Sequence, residues 1–153
     1  MILFFPLLVF GTLGLRYVFL SNAARMAASA GAQCSTFMAD ANPPKDVSSV
    51  NIANTIATQS VKGFPGVKLN QVACYIVVCP IAGGTGTRQT TPLAKPADTN
   101  VNSYNFQVVL TGQLSPLIPN NTNWFVQIPG LSAPVNTSVS AVVFFENSQG
   151  LTQ

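Results

Sequence analysis

Residues 1–32 read MILFFPLLVFGTLGLRYVFLSNAARMAASAGA, and this stretch decides the architecture of the chain. Residues 1–15 contain no charged side chain, and residues 17–20 are apolar again after Arg16. A helix needs about 20 apolar residues to cross a bilayer, so the segment is a marginal membrane-spanning helix by itself. We expect Arg16 to reach towards an interface, with Tyr17 beside it as an interfacial aromatic residue.

The helix continues beyond residue 20, but its composition changes. Residues 21–32 are nearly all small and, apart from Gly31, have strong helix propensity. Small residues let the backbones of neighbouring helices approach closely, which favours a bundle of identical helices. The alternative is an alanine-rich helix packed on its own domain. Both interpretations can hold together, because one face can pack within the chain and another on neighbouring copies.

The composition indicates that much of the chain is covered by something other than water. The 153 residues suffice for one domain and an appendage. Hydrophobic residues make up 48% of the chain and charged residues only 7%, against about a quarter charged in soluble globular proteins. So few charges favour aggregation of a free monomer. The chain is therefore expected either to lie partly in a membrane or to be covered by further copies.

The charged residues are dispersed and point to no chemistry. The net charge of +3 arises from seven basic and four acidic residues without runs, whereas nucleic-acid binding needs clustered cations. The absence of histidine excludes Ser-His-Asp and Cys-His pairs, and the acids form no paired-carboxylate motif. We therefore predict that the protein is not an enzyme. We also expect it to have no cofactor, no metal site, no nucleic-acid partner and no small-molecule substrate.

The three cysteines are Cys34, Cys74 and Cys79. A zinc site usually has four ligands and a CxxC pair, so an exported protein with one disulfide fits better. Cys74 and Cys79 lie in a β-like run that separates them by roughly 16 Å when extended, too far for a bond. Cys34 is therefore expected to pair with Cys74 or Cys79. Three buried free thiols remain an equally open alternative.

The rest of the chain predicts a second helix followed by strands. Pro43 and Pro44 end the first helical segment. Asp46 or Ser48 can cap a helix over residues 47–61, which ends at the Gly-Phe-Pro-Gly sequence of residues 63–66.

Alternating or β-branched residues then predict strands, separated by a long exposed loop over residues 81–100. The strands are predicted over residues 67–78, 104–111 and 135–145, with a short apolar run over 124–128.

These elements predict an α+β fold in two segments. Residues 1–42 are the N-terminal helix for a membrane or a filament core. Residues 43–153 are an extracytoplasmic domain with the second helix and a three- to four-stranded antiparallel sheet.

The N-terminal sequence resembles a known family. Residues 5–16 and 19–32 are similar to the start of TadE-like pilins, from the tight-adherence (Tad, or Flp) branch of type IV pili. Residues 64–66, residues 104–119 and the last strand ending at Glu146 extend the resemblance. Members usually carry a leader and a glutamate, which alignment on the proline places just ahead of Met1.

The resemblance implies a structural subunit that assembles with identical copies into an extracellular filament. Before assembly its helix would hold it in the cytoplasmic membrane, with the C-terminal domain outside. The positive-inside rule favours the opposite orientation, because Arg16 and Arg25 follow the apolar run. These two arginines are candidate interface charges.

The residues expected to build the filament core divide by size. The large apolar ones are Leu3, Phe4, Leu7, Leu8, Phe10 and Leu13. The small ones, which would permit close approach, are Gly11, Gly14, Ala24 and Ala28.

Two alternative functions remain. One is a minor pseudopilin that primes a Tad-type pilus or a secretion system. The other is a secreted β-rich binding module, because Ala28-Ser-Ala30 and Ala30-Gly-Ala32 are similar to signal-peptide cleavage sites.

Overall fold

The protein has the predicted α+β fold. The computed structural model describes residues 4–38, 48–116 and 133–152. The helices are α1 (Phe4–Ala32) and α2 (Ser49–Lys62), and a 3-10 turn covers Ser148–Thr152. The strands are β1 (Val67–Pro80), β2 (Thr87–Gln89), β3 (Asn102–Leu114) and β4 (Val135–Phe144). They form one antiparallel sheet in the order β2-β1-β3-β4.

Helix α1 consists of two halves in different surroundings. Its C-terminal half contributes small side chains to the core, spaced three or four residues apart as one helix face requires. The buried residues of this half are Leu20, Ala23, Ala24, Ala27, Ala28, Gly31 and Ala32. The core thus combines residues from both predicted segments, 1–42 and 43–153. We call the unit formed by this half of α1, α2 and the sheet the head.

Helix α2 begins and ends where the sequence predicts, within one or two residues. The Ser48 hydroxyl accepts a hydrogen bond from the Asn51 amide at 3.2 Å, so Ser48 is the N-cap. Buried residues recur every fourth position at Ala53, Ala57 and Val61, which packs this face towards α1 and the sheet. Asp46 and the two prolines lie outside the described residues.

The sheet presents one apolar face to the helices, as the alternation predicts. Phe106, Val108 and Leu110 of β3 lie on this face opposite residues 143, 141 and 139 of β4. The β1–β3 ladder runs from Val67↔Leu114 to Pro80↔Asn102, so both strands are longer than predicted.

The prediction of a loop over residues 81–100 was wrong for residues 87–89, which form a strand. Thr87–Gln89 turns back onto the end of β1 and forms β2, which pairs with residues 76–78. A three-residue strand carries too little alternation to be recognised in the sequence. The apolar run 124–128 lies outside the described residues.

The C-terminal half of α1 lies directly on the sheet at Gly31. A Cβ atom at Gly31 would collide with the ring of Phe106, which is fully buried. That ring contacts Phe145, at a centroid distance of 5.3 Å, and Phe37, at 6.2 Å. The missing side chain of Gly31 therefore allows the helix to rest against an aromatic cluster.

We predict that Gly31→Ala lowers the free energy of unfolding by about 1–3 kcal/mol, because the added methyl displaces a ring in a closely packed core. Gly14→Ala in the same helix is the matched control, since no described residue comes within 4 Å of its Cβ position apart from the adjoining backbone of α1. This control should be neutral or mildly stabilising, because alanine favours a helix more than glycine does. Thermal unfolding in mild detergent measures both. Equal melting temperatures for the two variants would contradict the close contact.

Candidate functional site

The most unusual surface of the described chain is the N-terminal half of α1. Leu7 is 72% exposed and Phe10 62% exposed. The other exposed large apolar residues of α1 are Leu8, Leu15, Tyr17, Val18, Phe19 and Met26. Exposed apolar surface of this extent marks a membrane or protein contact rather than a solvated face.

Among the described residues, α1 is the one helix long and apolar enough to cross a membrane. Only 22% of its most apolar 18-residue window is buried inside the chain. A core helix of a soluble protein passes the same test of length and composition, but most of its surface is covered by its own domain. Here the second half of α1 is covered, whereas the first half protrudes: most residues from Leu7 to Phe19 are exposed or half-buried, and Val9 is the buried exception.

The protruding half is attached to the head through Arg16. Its half-buried guanidinium donates a hydrogen bond to the Ser115 carbonyl and lies against Gly66. Gly66 has φ +83°, a conformation that glycine adopts at little cost, and a side chain there would occupy the position of the guanidinium. The Ser115 amide in turn donates to the Gly66 carbonyl at 2.8 Å. Arg16 thus connects α1 to the end of the β1–β3 ladder, where β1 begins and β3 ends.

An aromatic contact adds to this attachment. The Phe19 ring stacks on Phe64 with a centroid distance of 3.4 Å and an interplanar angle of 27°. We call Arg16, Phe19, Phe64, Gly66 and Ser115 the junction. The sequence marks residues 63–66 as a helix end and as part of the family resemblance, but no periodic pattern links Phe64 or Gly66 to residues of α1.

The predicted filament-core residues fall into separate environments. Leu7, Leu8 and Phe10 are exposed, Leu13 is half-buried, and Gly11 and Gly14 are exposed with open space around them. Phe4 is the first residue of α1, and Leu3 lies outside the described residues.

The prediction that Ala24 and Ala28 allow close approach of neighbouring subunits does not fit their positions. Both are fully buried within the chain's own core, so a neighbouring helix cannot approach through them. These two residues instead follow the alternative interpretation, in which the alanine-rich segment packs on its own domain. Of the two candidate interface charges, Arg25 is exposed, whereas Arg16 is used in the junction.

The predicted disulfide between Cys34 and Cys74 or Cys79 is not formed, and all three are free thiols. Cys74 lies on the helix-facing side of β1, whereas Cys79, five residues later, lies on the opposite side. The Cys34 thiol donates to the Ala30 carbonyl at 3.4 Å instead. Burial raises the pKa of the Cys74 thiol to about 11. Burial also raises the pKa of Cys34, against a smaller lowering by a hydrogen bond with Ser49.

Within residues 4–38, 48–116 and 133–152, no group of three or more His, Cys, Asp or Glu side chains could hold a metal ion. Comparison with protein-family models, curated proteins and solved structures finds no match. The features of the described chain that bear on function are therefore the protruding helix and the junction.

We predict that alkylation of the native protein modifies Cys79 first, because its thiol is the least buried of the three. Cys34 and Cys74 should react only after unfolding, because burial disfavours their thiolates. Mass spectrometry of denatured protein without reductant should count three alkylated cysteines. A pair that reacts only after reduction would restore the predicted disulfide.

We also predict that the free energy of unfolding decreases as the pH rises from 9 towards 11. The folded state holds the Cys74 proton to a pKa of about 11, whereas the ordinary value is 9.0, so only the unfolded state ionises in this interval. Denaturant unfolding at several pH values measures the slope. Cys74→Ala should reduce the slope, and the raised pKa of Cys34 should preserve part of it. An identical slope in the wild type and in Cys74→Ala would contradict the burial of this thiol.

Proposed function

We propose that this protein is a pilin-like structural subunit, which assembles through the exposed half of α1 into an extracellular filament. The observation that carries the proposal is a folded head joined through a defined junction to a protruding apolar helix. The sequence resemblance to TadE-like pilins supports the same assignment. Before assembly the helix would be held in the cytoplasmic membrane.

The energetics explain why such a helix needs two environments. Burial of a large apolar side chain such as Leu7 or Phe10 is worth about 1.5–3 kcal/mol, so the protruding half strongly disfavours water. Both a lipid bilayer and a bundle of helices from identical copies would remove these side chains from water. Transfer from lipid to the bundle brings little further hydrophobic gain, because lipid is as apolar as leucine. Close packing of helices must then favour the bundle.

Gly11 and Gly14 fit this packing role. They lie one turn apart on the protruding half, and no described residue comes within 4 Å of their Cβ positions apart from the adjoining backbone of α1. Their bare backbone leaves a shallow groove into which a neighbouring helix can pack closely. In contrast to Ala24 and Ala28, they remain open to other subunits.

Two alternatives are distinguished by simple observations. A minor pseudopilin would share the fold but be present in few copies per fibre, which quantitative mass spectrometry of purified fibres measures. A secreted module cleaved after Ala30 or Ala32 would lose Leu20, with the alanines that follow it, from its core. This loss argues against cleavage there, and the N-terminal sequence of mature protein tests it.

We predict that Phe10→Glu abolishes filaments while leaving the head folded. A buried charge in the helix bundle has no partner, whereas the head makes no use of the exposed Phe10 ring. Electron microscopy of sheared surface material measures filaments, and the thermal unfolding of purified protein measures the head.

The matched control is Ile81→Glu, since Ile81 is 60% exposed and belongs to the head. This variant also replaces an exposed apolar residue by glutamate. Any general effect of one added negative charge on filament formation would therefore appear in the control as well. Filaments should persist in this variant. Normal filaments with Phe10→Glu would overturn the packing role of α1.

A further inference from the structure

The two ends of the head differ in their balance of charge, because the described acids lie at one end only. The base is the end at which residues 16–20 leave the sheet, and it carries Arg16, Lys62 and Lys68. Lys62 is the exposed last residue of α2, two residues before Phe64 of the junction. Lys68 is exposed on β1, and the contacts at Gly112 place its carbonyl near Leu20 of α1. Three cations therefore lie at the end of the head from which the apolar helix emerges.

The two acidic residues that the structure describes lie at the opposite end. The Glu146 amide donates to the carbonyl of Ala32, the last residue of α1, at 3.2 Å. Ala32 is roughly 24 Å along the helix from Arg16 at the usual rise. The Asp98 amide donates to the Tyr104 hydroxyl at 3.0 Å, and Tyr104 pairs with Val78 near the far end of β1. Within the described residues, the base carries no acid.

We propose that the base docks on a bilayer surface rich in anionic phospholipid headgroups. This inference rests on the membrane-held stage of the proposed function. The cations of the base identify an anionic surface as the partner, because opposite charges attract across such a contact. Cations next to a membrane-inserting helix lie at the level of the phosphate groups, where each is attracted to an anionic surface.

The two lysines and Arg16 have different parts in this contact. Lys62 and Lys68 are exposed on different elements of the base, the end of α2 and the start of β1, and their long side chains can extend towards headgroups. The Arg16 guanidinium is already engaged by Ser115 and Gly66 and marks the depth at which the apolar segment ends. Substitution of Arg16 would disturb the junction, so the lysines give the cleaner test.

The test is a competition between two vesicle populations. Full-length protein is diluted from detergent into a mixture of phosphatidylcholine vesicles and vesicles that also contain phosphatidylglycerol. Flotation then separates them by density. The wild type should prefer the anionic vesicles, and high salt should weaken the preference. Lys62→Gln combined with Lys68→Gln should reduce it by roughly 30-fold, as expected for two surface lysines.

Arg88→Gln combined with Lys95→Gln is the matched control. It lowers the net charge from +3 to +1 in the same way but removes cations outside the base. Its preference should equal that of the wild type. An equal loss in both double variants, or equal partition of the wild type between the two populations, would overturn headgroup docking while leaving helix insertion intact. Failure to float with either population would overturn the membrane-held stage as well.

Discussion

The close packing of small residues in the second half of α1 on the sheet constrains the rest of the structure. Alanine and glycine bring the helix backbone near the sheet, and Gly31 does so against a fully buried phenylalanine ring. A larger residue at such a position would force the helix away from the strands. The alanine- and glycine-rich face of α1 therefore determines how the helix crosses the head, because only small side chains allow this close contact with the sheet.

The protrusion of the first half follows from this direction and from the length of the strands. Leu20 packs next to Gly112, two residues before the end of β3 at Leu114. Residues of α1 that precede the junction thus extend beyond the sheet, and most of the large apolar ones among them stay exposed, with Val9 the buried exception. Because these residues are large and apolar, the fold itself produces an exposed hydrophobic helix. No conformational change is needed to present it.

Much of this fold was predictable from the sequence, because it is built from periodic segments. Helix α2, the cap at Ser48 and the alternation of β3 and β4 all follow from local pattern. The contacts that decide function were not predictable. Arg16 and Gly66 meet across fifty residues without any shared periodicity, and the sequence left a Cys34 disulfide and three free thiols equally open. The alanine-rich segment was compatible with two partners, and only tertiary packing distinguishes between them.

Arg16 lies where the apolar segment of α1 meets the head, and it has to be accommodated both in the bilayer and in the proposed filament. A cation at this position is favourable beside a headgroup, but it would be costly inside a dry helix bundle. Its engagement by the Ser115 carbonyl keeps it satisfied when lipid is removed, since that acceptor belongs to the head and moves with it. Exposed lysines have no such internal partner among the described residues and must remain hydrated in a filament. The base of the head should therefore lie at the outer wall of any helical core, with only the residues before Arg16 buried among copies.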